Sequence, residues 1–123
     1  MRTIKFRAKD RWSEIWYYGS LLVNEIFGRT HIWEPSLGYL EVDPETVGQF
    51  TGLLDKNGEW IYEGDIYRYD NHPDSINVVS YCAGGGFAGF DLAPAKHNEN
   101  RLLDVEVIGN IHDNPELLKE ELY

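Results

Sequence analysis

The chain has 123 residues, 42% of them hydrophobic, which suffices for one cored domain or two small subdomains and is too apolar for a disordered chain. No apolar stretch approaches the ~18 residues of a membrane span, and the charges through Met1–Arg11 leave no apolar segment for a secretory signal. The formal charge is −10, and the single cysteine, Cys82, excludes an internal disulfide and a multi-cysteine metal cage, so a cytoplasmic location without membrane contact is expected.

The charge is unevenly spread. Residues 1–12 hold five Lys or Arg against Asp10, a local +4, and the rest of the chain carries −14. Such a surface repels phosphates and argues against nucleic acid as a partner. A basic protein partner, or a role as an acidic decoy, fits it better, and plain solubility is the simplest use of the charge.

In chain order, Thr3–Lys9 alternates, with Ile4, Phe6 and Ala8 on one side and Lys5, Arg7 and Lys9 on the other, as in a strand with one buried and one charged face. Ile15–Gly19 reads as an aromatic strand, and further strands are expected at 21–27, Thr30–Glu34, Tyr39–Val42 and Thr46–Thr51. Asn57-Gly58, whose residues tolerate positive φ, predicts a tight hairpin joining Leu53-Leu54 to Trp60–Tyr62. Glu63-Gly64-Asp65 turns into a strand over Ile66–Tyr69, Asn71–Asp74 reads as a loop, and strands follow at Ile76–Tyr81 and Phe87–Leu92. Pro94–Asn100 is a polar connector before a last strand over Val105–Ile111. Only the end is helical, with Asn114 capping, or Asp113 and Glu116 forming a capping box, and Leu117, Leu118 and Leu122 facing inward.

The blocks Thr46–Leu53, Asp55–Gly58, Ile61–Ile66, Val107–Ile111 and Asn114–Leu118, with the opening Ile4–Ala8, resemble the YopX family in content and order. The resemblance implies a phage or prophage origin, an SH3-like barrel in the C-terminal part and self-association. It implies no reaction and no catalytic residues.

Other patterns carry less. Gly84-x-Gly86-x-x-Gly89 matches the dinucleotide fingerprint, but the alternating Phe87–Leu92 leaves no helix to hold a pyrophosphate, so a glycine-rich turn is the better account. His31, His72, His97 and His112 lack metal-ligand spacing, and Cys82 has no basic neighbour in sequence to activate it. Glu63 and Asp65 suit a turn that satisfies backbone amides, and they are the first place to look for catalysis. Aromatic residues make up 14% of the chain, more than a small core needs.

The fold expected is therefore all-β and mainly antiparallel. It is one domain over 1–123 with subdomains 1–46 and 47–123, an SH3-like barrel over about 47–112, and a short C-terminal helix. The function expected is a non-enzymatic phage accessory module that self-associates, with no cofactor or metal, and with a host or phage protein as a further partner. Its expected interaction surface is Lys5, Arg7 and Lys9 with Trp16, Tyr17 and Tyr18. The alternatives are an acidic inhibitor or decoy occupying a basic site on a host nucleic-acid-handling protein, and an enzyme using the Glu63/Asp65 turn with a histidine.

Overall fold

In a computed structural model, which describes residues 5–80 and 97–119, the chain divides into two compact units, Met1–Phe50 and Thr51–Tyr123. Among the described residues the secondary structure is mostly strand, with one short α-helix.

The first unit holds β1 (Phe6–Lys9), β2 (Trp16–Asn24), β3 (Arg29–Glu34) and β4 (Gly38–Glu41), an antiparallel meander. The other side of β1 pairs with the start of β5 (Gly48–Leu54), placing Arg7 opposite Gly48 and Phe6 opposite Gln49. The period-two pattern becomes packing here. Ala8, Ile32 and Val42 are fully buried, and Phe6, Tyr17, Leu21 and Val47 pack around them. Full burial of Ile32 and of Val42 contributes about 1.5–3 kcal/mol each, and the Ala8 methyl about 0.8 kcal/mol. Asp43 starts a 3-10 turn over Pro44–Thr46 by accepting the Glu45 N–H at 3.0 Å. The Oγ1 of Thr46 accepts the Lys9 N–H at 2.8 Å, fastening that turn to β1.

In the second unit the rest of β5 pairs with β6 (Trp60–Tyr62) and, in parallel, with β10 (Arg101–Leu102), which is antiparallel to β9 (His97–Asn98). A separate set has β7 (Asp65–Tyr69) between β8 (His72–Val78) and β11 (Val105–Asn110), both antiparallel to it. The core is Leu53, Ile61, Tyr67, Val79, Leu102 and Val105. The short helix α1 spans Glu116–Lys119.

The hairpin between β5 and β6 is present, with a different turn from the one expected. The Gly58 N–H donates to the Asp55 carbonyl at 3.0 Å, and within the turn only Gly58 has positive φ, at 83°. Asn57 is not left-handed, so the turn follows the pattern of a three-residue loop with a bulge glycine.

Other expectations are corrected. Residues 15–19 and 21–27 are not two strands: β2 runs unbroken from Trp16 to Asn24, changing partner from β1 to β3 between Gly19 and Ser20. The strand placed at Thr46–Thr51 begins at Gly48, because Pro44–Thr46 is taken by the 3-10 turn. Asn71–Asp74 is not a loop. Strand β8 starts at His72 opposite Tyr69, and a register shift opposite Arg68 admits Pro73 without a ladder bond. The connector at 94–100 contains β9. Among the described residues the second unit's strands form two hydrogen-bonded groups that do not close into a barrel.

The side chain of Asn114 does not cap the helix as expected. The Asn114 Oδ1 accepts the Asn110 N–H at 3.2 Å, and the Asp113 Oδ2 accepts from the Asn110 side-chain amide at 3.2 Å, so both side chains serve the end of β11. Leu117 and Leu118 are half-buried. The glycine motif at 84–89, Cys82, Tyr81, the strand expected at 87–92 and Leu122 lie outside the described residues.

Candidate functional site

Strand register decides which of the expected surface residues share a face. Arg7 stands opposite Tyr18 and Lys9 opposite Trp16, so these four side chains point to one side of the sheet. Tyr17 is opposite Ala8 on the other side and packs on the core. The expected patch of Trp16, Tyr17 and Tyr18 is therefore split between two faces.

The basic side chains of β1 are not a solvated stripe either. Arg7 is only 7% exposed and Lys9 9%, while Lys5 is half-buried. With β2 on one flank and β5 on the other, β1 is interior to its sheet. The Arg7 guanidinium centre lies 4.8 Å from the Trp16 ring centroid, and the Lys9 ammonium lies 5.7 Å from it. Cation–π contacts of this kind contribute about 0.5–2 kcal/mol, more as they lose water. Lys9 also donates to Glu14, whose side chain is exposed, so this ion pair adds little. Arg11 pairs with Glu41 at 3.3 Å.

The same face continues across the meander. Ser20 is opposite Trp33, Trp33 opposite Tyr39, Leu22 opposite His31, and His31 opposite Glu41. The Trp33 and Tyr39 rings lie 4.7 Å apart between centroids, tilted by 44°. Tyr18, Leu22, Trp33 and Tyr39 are all exposed. This outer face joins a cation-backed Trp16 at one end to open aromatic and aliphatic surface at the other, an arrangement suited to binding through apolar area. Sequence reading found Trp16 and Tyr18. It missed Trp33, Tyr39 and Leu22, because strand order is needed to bring them alongside.

Asp10 organises the loop before β2. Its carboxylate accepts the Trp12 N–H at 2.9 Å and the Tyr17 hydroxyl at 3.2 Å. The Trp12 amide leads in holding Asp10 below the usual carboxylate range, and burial, helped by Asp10, pushes the Tyr17 phenol up.

In the second unit, Asp65 is buried and its Oδ2 accepts the Tyr62 N–H at 2.8 Å, so its carboxylate staples the turn at Gly64. Asp55 is fully buried, accepting N–H bonds from Asn57 and Glu59, both at 2.9 Å, and from Val107 at 3.0 Å. Among the described residues no three His, Cys, Asp or Glu side chains are placed to hold a metal, and no helix is long and apolar enough to cross a membrane.

Comparison with known proteins agrees over nearly the whole length. The chain is similar to the crystal structure of protein EF1440 from Enterococcus faecalis, with 30% identity and a TM-score of 0.60, over 96% of this chain and 99% of that one. No curated protein matches it significantly. The YopX protein family matches residues 5–119. The chain belongs to the YopX family.

Proposed function

We propose that this protein is a phage or prophage accessory module that acts by binding rather than by catalysis, and that it self-associates through its first unit. One observation carries this reading. Ten of the twelve large hydrophobic side chains exposed among the described residues lie between Trp12 and Tyr39. Exposed apolar surface gathered in this way marks an interaction site. The charge supports the same unit. Residues 1–50 hold six Lys or Arg and seven Asp or Glu, a net −1, whereas residues 51–123 hold five and fourteen, a net −9. Two copies meet with least repulsion through the near-neutral unit.

The SH3-like barrel over residues 47–112 belongs to this reading. Its support is the family resemblance and the packing of short strands from both hydrogen-bonded groups on one core of Leu53, Ile61, Tyr67, Val79, Leu102 and Val105. Light scattering tests self-association: a mass above one chain at micromolar concentration is expected, and a single-chain mass at every concentration and salt overturns it.

The −9 on the second unit favours one other reading, an acidic inhibitor that occupies a basic site on a nucleic-acid-handling protein. Pulldown from host extract tests it. Recovery of such a protein, released by moderate salt and competed off by nucleic acid, supports this reading.

A further inference from the structure

The β2–β3 hairpin carries Ile26, the most open large apolar side chain among the described residues, beside an open Phe27. Ile26 is 88% exposed and Phe27 73%, with Leu22 and Val23 exposed at the base of the turn. By register Leu22 lies on the outer face opposite His31, and Val23 on the opposite face against Thr30. The end of the hairpin is thus apolar on both sides, and no single-sided core accounts for it.

The turn itself is ordered. The Asn24 Oδ1 accepts the N–H groups of Ile26 and Phe27 at 3.1 and 3.2 Å, which holds the segment in one shape with both side chains outward. A recognition element fixed in advance loses less entropy when it binds.

We propose that this tip docks on the outer face of a second copy of the chain, against Tyr18, Trp33 and Tyr39, in a reciprocal two-fold contact. Three observations select a second copy as the occupant. From Tyr18 to Asn24 the strand rises about 20 Å, at ~3.3 Å per residue, so a tip cannot fold back onto its own aromatic patch but reaches that of an antiparallel neighbour. Tip and patch lie on one unit, so a two-fold operation satisfies both at once, as closed symmetry requires. The exposed charges at the tip, Glu25 and Arg29, are of opposite sign, so the tip carries no net charge to repel a partner's face. With ~150–250 Å² for a whole aromatic side chain, the tip and patch side chains other than Val23 together expose on the order of 700 Å². That approaches the ~800 Å² each partner contributes to a standard interface.

This inference rests on the self-association proposed above and names its surface. The test compares the intact protein with the double variant Ile26→Ser, Phe27→Ser by light scattering, with circular dichroism as a check of fold. A folded variant that remains a single chain at concentrations where the parent associates, with its dissociation constant raised at least ~100-fold, is the expected result. Association unchanged in a folded variant overturns the docking surface and leaves self-association standing, whereas a parent that is a single chain overturns both. Hydrogen exchange on the unaltered protein needs no substitution. Amides of residues 22–31 are expected to lose protection on dilution through the dissociation range, and protection independent of concentration overturns the proposal even if the variant fails to fold.

Discussion

The carboxylate of Asp55 accepts the backbone N–H of Val107 at 3.0 Å, tying the β5–β6 turn to a strand 52 residues further along the chain. Asp55 is wholly buried and also holds the Asn57 and Glu59 amides, so its removal strands three donors at once. Asp55→Ala is expected to destabilise the protein by about 3–5 kcal/mol, read from the denaturant midpoint. A loss under about 1 kcal/mol would show that water replaces the carboxylate.

Gly19 is required by space. A Cβ built there would lie 2.1 Å from the Trp33 carbonyl oxygen, a backbone atom with no flexible end to move aside. Gly19→Ala is expected to cost about 3 kcal/mol, the upper end of overpacking penalties, and to shift the β2–β3 resonances in NMR. Unchanged thermal unfolding would contradict the close approach.

Gly58 is required by conformation. Its φ of 83° disfavours any residue with a Cβ. Gly58→Val is expected to destabilise by about 1–2 kcal/mol, and an unaltered melting midpoint would refute it.

Acid should expose the Glu106–Arg68 pair. The Arg68 side chain donates to Glu106 at 2.7 and 3.0 Å and, as the leading cause, holds its carboxyl below the ordinary 4.5. A lowered folded value means that the pair's stabilisation is present above pH 4.5 and is lost as pH falls through that lower value. Arg68→Ala is therefore expected to flatten the decline of stability below this pH while costing little that high salt does not also remove. Parallel acid-unfolding curves for parent and variant would exclude the linkage.

Much of the strand content was legible because alternation and turn chemistry are local. Ala8, Ile32 and Val42 fall inward as the period-two pattern requires. Asp65 forms the amide-satisfying turn read from Glu63-Gly64-Asp65. What sequence could not supply was the neighbour of each strand. Lys5, Arg7 and Lys9 read as a charged face because nothing local shows that β1 has a strand on each side and Trp16 beneath its cations. Asp55 read as a turn residue because its third donor, Val107, is remote. Trp33 and Tyr39 stood apart from Tyr18 until register placed them together.

Strand β5 has a consequence for the order in which the chain acquires structure during synthesis. Every strand pairing of the first unit is complete by residue 50, since Phe6 meets Gln49 and Arg7 meets Gly48. The remaining half of β5 waits for Arg101, its parallel partner opposite Leu54, and β7 waits for β11. Parallel and distant pairings close large loops and form slowly. A ribosome adding about 5–20 residues per second therefore releases the antiparallel meander seconds before the second core has all its strands. Over that interval the back half of β5 has no β10 edge to meet, and the near-neutral, aromatic half of the molecule is the first surface available to a neighbouring nascent chain.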